Sequence, residues 1–154
     1  MSLLQKTAKL DDIRNAYPEK FRLEDEVFSH IHRGDRIFIS SACGEPQYLV
    51  RALINYVETH PKALFDTEVI HIWTLGYSPY ADEKFQHNFR HNSFFVASNS
   101  REAVNRGTAD YTPIFLSEVP DLFYRKAIPV DVALIQTSPP DEHGYMSLGV
   151  SVDV

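Results

Sequence analysis

The sequence predicts an α/β protein with an open, mostly parallel sheet flanked by helices, and two patterns support this prediction. Four short apolar runs, at residues 36–40, 68–75, 93–98 and 130–137, alternate with helical patterns. These runs are nearly continuous rather than alternating, as is typical of parallel strands buried on both faces. Right-handed crossovers between such strands lead to the prediction of a Rossmann-like topology.

The first half of the chain has the clearest elements. Residues 24–32 are predicted to form a short helix that ends before Gly34 and is followed by the strand at residues 36–40. Pro46 suits the first position of the next helix, because its missing N–H costs nothing there. The apolar side chains of that helix recur on one face until Pro61. They are Leu49, Val50, Leu53, Ile54 and Val57. This face is expected to pack on the sheet.

The second half begins with a long polar loop before the third strand. Asn99 or Ser100 suits the N-cap of a short helix, and Gly107 can take the left-handed conformation that ends it. Another helix is predicted within residues 117–126. Residues 151–154 alternate polar and apolar as a new strand would, so the sheet is expected to be incomplete at the C-terminus.

Composition indicates one domain, residues 1–154, because 44% hydrophobic and 12% aromatic side chains suffice for a core. The formal charge is −6, from 15 basic and 21 acidic residues, and the basic residues form no cluster. Such a chain is a poor match for a phosphate backbone, so no nucleic-acid partner is expected.

The single cysteine, Cys43, cannot form an intrachain disulfide, which agrees with a reducing compartment. The first residues carry no apolar signal-peptide core, and no apolar run approaches the ~20 residues of a membrane helix. A cytoplasmic protein without membrane contact is therefore expected.

Two polar, turn-rich loops follow strands and are the candidate site. They are SACGEP at residues 41–46 and SPPDEHGY at residues 138–145. In open parallel sheets ligands bind outside the carboxyl ends of the strands, where such loops converge. The same prolines and glycines also make ordinary tight turns, so spacing alone leaves both interpretations open.

Four segments together carry a resemblance to a known family. They are SACGEPQYLVRAL, FRHNSFFV, RGTADYTPIFLSEVPDLF and PVDVALIQTSPPDEHGYMSLGVSVD. In this order and spacing, from about residue 34 to residue 154, they resemble the N-terminal domain of the acetyl-CoA hydrolase/transferase family, and 4-hydroxybutyrate CoA-transferases in particular. The resemblance implies a CoA-transferase-like fold.

The resemblance also implies an activity: transfer of CoA between an acyl-CoA and a carboxylate such as acetate, butyrate or 4-hydroxybutyrate. In this family a glutamate attacks the thioester, an acyl-glutamyl anhydride and then a glutamyl-CoA thioester form, and the incoming carboxylate takes the CoA. That glutamate and the CoA-binding segment belong to a second, C-terminal domain that residues 1–154 do not include. We therefore predict no catalytic residue here, an inactive chain by itself, and as partners that second domain and further copies in a homo-oligomer.

The family pattern places the SACGEP loop beside the acyl pocket, so Gly44, Glu45 and Pro46 are predicted to bind substrate. Glu45 precedes a helix N-terminus, where the dipole favours a carboxylate by about 0.3–1 kcal/mol, and it would repel the phosphates of CoA. Backbone N–H groups near Gly44 can instead face an acyl carbonyl or carboxylate. His143 and Gly144 of the SPPDEHGY loop are predicted to reach the pocket. Asn92 is also predicted to bind substrate.

CoA is expected as a substrate and no metal is expected. His87 and His91 stand four residues apart, as on one face of a helix, but lack the glutamate of HExxH and a third ligand. A structural or solvent-facing role is favoured for them, and His71 is expected to be a satisfied core histidine.

Three other functions stay open. The chain can be a non-catalytic binding or assembly module of the same fold, or part of an acyl-CoA hydrolase in which water replaces the carboxylate. A different enzyme on an open sheet, such as a sugar-phosphate isomerase, would need a base and phosphate-binding residues that we do not find.

Overall fold

The structure is a computed structural model that describes residues 3–74, 76–141, 143–150 and 152–153, and only the backbone of residues 3–9. The helices are α1 (Leu3–Ala16), α2 (Glu24–Phe28), α3 (Gln47–Thr59), α4 (Arg101–Arg106) and α5 (Val119–Tyr124). The strands are β1 (Arg36–Ile39), β2 (Thr67–His71), β3 (Phe89–Ser93), β4 (Ala109–Tyr111) and β5 (Val132–Leu134).

All five of these strands are parallel, in the order β4-β3-β2-β1-β5. β1 lies between β2 and β5, with Phe38 opposite both Ile70 and Ala133. The prediction of an open parallel α/β sheet is therefore confirmed. Its strand order reverses at β1, because the chain moves outward to β4 and then crosses back to β5.

One face of the sheet carries the larger core. Ile37 and Ile39 of β1 are fully buried and lie in one cluster with Val50 and Leu53 of α3. This confirms that the apolar face of α3 packs on the sheet. Burial of each such aliphatic side chain stabilises the fold by about 1.5–3 kcal/mol.

A smaller core covers the carboxyl half of the other face. Phe123 of α5 packs edge-on against Phe38, with ring centroids 5.6 Å apart, and also contacts Phe94. Val119 is fully buried in this cluster beside Ile72. Helices therefore flank both faces.

The third predicted strand is wrong. Residues 93–98 are mostly outside the strand, and β3 is the polar segment Phe89–Ser93. Its polar side chains are paired across the sheet, which sequence periodicity does not reveal: Asn92 donates to Glu68 (3.0 Å) and Arg90 pairs with Asp110.

Other boundaries differ by less. β2 ends at His71 and β5 covers only Val132–Leu134, whereas the runs at residues 68–75 and 130–137 had suggested longer strands. α2 ends at Phe28, and α5 begins after a 3₁₀ turn. Gly107 ends α4 in the left-handed conformation, with φ of +74°, as predicted.

Two elements escaped prediction, α1 and β4. Of the residues predicted to begin a further strand, Val152 and Asp153 are not in a strand, and Ser151 and Val154 lie outside the described residues. In the described part of the chain, no helix combines the length and apolarity needed to cross a bilayer.

Candidate functional site

The reversal of strand order at β1 locates a crevice between the carboxyl ends of β1 and β5. Ligands of open α/β sheets bind at such switch points. A small cavity is present at this position in the structure. Its lining residues are Phe38, Ser40, Gly44, Ile135, Gln136, Leu148 and Asp153. The lining combines an apolar wall with a few polar groups, as small-molecule sites do.

Ser41, directly after β1, anchors the loop of residues 41–46, which we call the first loop. Its buried hydroxyl accepts hydrogen bonds from the backbone N–H groups of Ile72 (3.1 Å) and Trp73 (3.2 Å). Its own N–H donates to the Asp153 carboxylate. One serine thereby joins the chain after β1 to the chain after β2 and to the segment that follows β5.

Gly44 lies at the end of a 3₁₀ turn, Ala42–Gly44. Its N–H donates to the carbonyl of Ser41 over 3.0 Å, so the amide is engaged within the loop. Ala42 has φ of +51°, a left-handed conformation that costs a non-glycine residue about 1–3 kcal/mol. Leu64, Asp66 and Lys126 also have positive φ, so this conformation is not confined to the first loop.

Glu45 is buried, although it carries a carboxylate. The Thr74 hydroxyl donates to its Oε2, and the N–H of Gly76 donates to that hydroxyl over 3.1 Å. Its Oε1 is buried and has no hydrogen-bond partner among the described residues. Pro46 follows, also buried, and is the N-cap rather than the first residue of α3.

Three buried polar side chains, His71, Tyr80 and His91, form a cluster near Glu45. The Nδ1 of His71 is 3.1 Å from the hydroxyl of Tyr80, and its Nε2 is 2.8 Å from the Nε2 of His91. Burial lowers the pKa of His71 well below its usual value and lowers that of His91 to about 4, the latter partly offset by Asp110. Burial, with the negative charge of Glu45, raises the pKa of Tyr80. Both imidazoles are therefore neutral near pH 7, and His71 is a satisfied core histidine as predicted.

Asn92 lies on the opposite face of the sheet from His91, because successive strand residues alternate. Its amide donates to Glu68 (3.0 Å) and accepts from Thr112 (2.9 Å), and Glu68 also pairs with Arg36. The structure thus gives Asn92 two partners within the sheet and does not bring it to Glu45 by any of these contacts. Its substrate-binding role stays a prediction.

His143 and Gly144 lie in an exposed turn. The Asp141 side chain accepts from the N–H groups of His143 and Tyr145, each over 2.9 Å, and Gly144 has φ of +84°. It is Asp153, nine residues after Gly144, that contacts the first loop. The roles of His143 and Gly144 stay predictions.

His87 and His91 do not share a helical face. His91 lies inside β3, and His87 precedes that strand in an exposed turn. Within the described ranges, no three His, Cys, Asp or Glu side chains gather as a metal site would require.

Sequence reasoning missed Thr74, Gly76 and Asp153. Thr74 lies at the end of the apolar run at residues 68–75, and Gly76 directly follows that run, where a glycine often marks a ligand-facing loop. Nothing in the local pattern relates Asp153 to Ser41, because 112 residues separate the two.

Comparison with known proteins shows the family. Residues 1–154 match the model of the acetyl-CoA hydrolase/transferase N-terminal domain. The chain therefore belongs to the acetyl-CoA hydrolase/transferase family, as the sequence resemblance implied.

Curated relatives agree with this assignment. The chain is 44% identical over 137 residues to a 4-hydroxybutyrate coenzyme A transferase of Clostridium kluyveri, covering 89% of this chain and 31% of that protein. It is 45% identical over 130 residues to a succinyl-CoA:acetate/propanoyl-CoA:succinate CoA transferase of Fasciola hepatica, covering 84% and 26%. The chain thus spans about a third or less of the length of these relatives.

Solved structures share the fold. RipA from Yersinia pestis matches with a TM-score of 0.75 and 27% identity, over 90% of this chain and 34% of RipA. A 4-hydroxybutyrate CoA-transferase from Porphyromonas gingivalis matches with a TM-score of 0.66 and 23% identity, over 91% and 30%. At 23% identity, the second match shows only that the fold is shared.

Proposed function

We propose that this chain is the N-terminal part of an enzyme that moves CoA between an acyl-CoA and a short-chain carboxylate, with acetate, butyrate and 4-hydroxybutyrate as the candidate acids. The observation that carries the proposal is the 44% identity to a 4-hydroxybutyrate CoA transferase across 89% of the chain. The cavity between β1 and β5 supports it, because a switch-point crevice with an apolar wall suits a short acyl chain.

The proposed chemistry is covalent. A glutamate outside residues 1–154 attacks the thioester carbonyl, which forms an acyl-glutamyl anhydride and releases CoA thiolate. The thiolate attacks the glutamyl carbonyl, so the first acid leaves and a glutamyl-CoA thioester remains. The acceptor carboxylate attacks that thioester, and the returning thiolate then cleaves the new anhydride on its acyl side, which yields the new acyl-CoA and restores the glutamate.

Within this chain, the proposed substrate contacts are Gly44, Glu45 and Pro46, with Asn92, His143 and Gly144 as further candidates. Glu45 is not proposed as the nucleophile. It is buried and accepts from Thr74, whereas a nucleophile must reach the thioester carbon. We propose no metal, and CoA enters only as a substrate.

The partner we propose is the remainder of a longer protein. The segment that follows β5 exposes apolar side chains, which we call the C-terminal patch. Their exposed fractions are Tyr145 74%, Met146 59%, Leu148 41%, Val150 95% and Val152 70%. Apolar surface of this kind marks an interface. Homo-oligomerisation and a cytoplasmic location stay predictions.

The test uses the protein expressed from the whole gene, from its start codon to its natural stop codon, beside the 154-residue chain. Each is incubated with acetyl-CoA and weighed intact by mass spectrometry. We expect a CoA-sized adduct on a glutamate beyond residue 154 in the longer protein alone. Steady release of free CoA from acetyl-CoA with no carboxylate acceptor present would instead indicate a hydrolase, because transfer to a carboxylate leaves no free CoA. If neither protein gains an adduct and the gene adds no second domain, the binding-module function replaces this proposal.

A further inference from the structure

Two loops at the carboxyl edge are joined by side chains. The first loop follows β1, and the second loop, which we define as residues 72–74 and 76–78, follows β2. Besides the bonds of Ser41, the N–H of Ala42 donates to the carbonyl of Trp73 over 3.2 Å. Farther along, the Gln47 side chain accepts from the N–H of Tyr77 over 3.2 Å. Between these two contacts, Thr74 donates to Glu45.

Burying the Glu45 carboxylate beside Thr74 lowers the stability of the fold, so a gain in stability does not account for this contact. Burying a carboxylate requires compensation from hydrogen bonds, and Glu45 leaves Oε1 without a partner among the described residues. A pair of apolar side chains would join the loops without this cost. Unsatisfied buried groups that persist in proteins are therefore candidates for function.

Gly76 shows how closely the second loop approaches. A Cβ on Gly76 would lie 2.1 Å from Nε2 of Gln47 and 2.7 and 2.9 Å from the two carboxylate oxygens of Glu45. A side chain at position 76 would therefore require the Gln47 amide and the Glu45 carboxylate to shift. The Asn99 side chain then donates to the carbonyl of Gly76 over 3.1 Å, so the segment after β3 supports the second loop.

We infer that Glu45 and Thr74 are positioning residues: their hydrogen bond fixes the first loop against the second and thereby sets the shape of the cavity beside Gly44 that receives the acyl group. This inference rests on the proposed function and gives Glu45 a role that acts through the loop, in place of direct contact with the substrate. Gly44, which lines the cavity, directly precedes Glu45 in the chain. A shift of the carboxylate is passed to the cavity wall by one peptide unit, and a displacement of about 1 Å can cost a hundredfold in rate.

The test compares matched variants of the whole-gene protein. Thr74→Val keeps the shape of the side chain but removes the hydroxyl, whereas the control Thr74→Ser keeps the hydroxyl. We expect Thr74→Val to lower kcat at least tenfold while the KM for acyl-CoA changes less than threefold, because CoA is held elsewhere. Thr74→Ser should stay within about threefold of wild type in kcat.

A second pair of variants guards against a folding defect. Glu45→Gln weakens the same contact, so it should lower kcat in the same direction. Because the two residues act as one unit, the double variant should be no more than about twofold worse than Thr74→Val. If Thr74→Val does not fold, Glu45→Gln decides: wild-type kcat in that variant overturns the inference.

The outcomes separate this inference from the proposed function. A wild-type protein that transfers no CoA overturns both. An active wild type with an equally active Thr74→Val variant overturns the inference and leaves the function standing. Equal losses in Thr74→Val and Thr74→Ser would also overturn it, since a variant that keeps the hydroxyl would then be no better than one that lacks it.

Discussion

His71 and His91 face each other in the core through their Nε2 atoms, 2.8 Å apart. One of these nitrogens must donate and the other accept, so the accepting ring is neutral, and burial keeps the donating ring neutral as well. If His91 donates, the Nδ1–H of His71 points to the Tyr80 hydroxyl, and only the bare Nδ1 of His91 lacks a partner among the described residues. The opposite tautomers would bury an unpaired N–H, which is the costlier arrangement.

This pair predicts loss of stability in mild acid. The folded pKa of His91 is about 4, below its usual 6.5, because burial disfavours the charged ring. The unfolded chain therefore binds more protons between these values, and the stabilisation present above pH 6.5 is lost as pH falls toward 4. His91 alone contributes up to about 3 kcal/mol to this loss, and His71 shifts in the same direction. Urea unfolding from pH 7.5 to 4.5 measures it.

The matched control is His87, which is exposed in the turn before β3. His87→Gln should keep the full pH dependence, whereas His91→Gln should flatten it and lower stability at pH 7.5. Parallel pH curves for both variants would contradict the assignment to the buried pair.

Asn92 provides a prediction about the polar face of the sheet. Asn92→Ala leaves Glu68 and Thr112 each without one partner in a half-buried place, so we expect a loss of about 1–3 kcal/mol in the free energy of unfolding. As a control, Arg106→Ala breaks an exposed pair with Glu102 at i,i+4 and should cost less than about 0.5 kcal/mol. Similar losses in both variants would argue against an integrated polar network.

The same polar face shows where sequence reasoning succeeded and where it could not. Apolar periodicity predicted β1 and α3 to within a residue or two, because the spacing of their own apolar side chains shows which positions are buried. β3 was missed because its burial depends on partners in other strands, such as Glu68 and Asp110.

The candidate site was likewise predicted only in part. The position of the first loop at the carboxyl edge follows from strand order, and Glu45 and Gly44 were singled out from it. Thr74 and Asp153 were not, because a hydrogen bond between loops leaves no periodic signal in either. Family resemblance, rather than periodicity, supplied the chemistry.

Gly76→Ala is predicted to destabilise the protein. The added methyl group would displace the Gln47 amide and press on both Glu45 oxygens, and the buried carboxylate has little freedom to move. We expect a loss of about 1–3 kcal/mol by denaturant unfolding. Gln47→Ala combined with Gly76→Ala should recover only part of this loss, since the contacts to Glu45 remain. Full recovery of stability would show that the contact with Gln47 alone causes the loss in Gly76→Ala.

The C-terminal patch predicts self-association of the 154-residue chain. Val150 and Val152 are 95% and 70% exposed, and such apolar surface tends to find a partner at micromolar concentration. Light scattering should therefore report species larger than a monomer. Replacing both valines by Lys should shift the population toward monomer, because each charge would have to be desolvated in the contact. Leu23→Lys is the matched control, since Leu23 is 75% exposed but lies outside the patch. A monomeric wild-type chain, or an equal shift by Leu23→Lys, would show that the patch does not drive self-association.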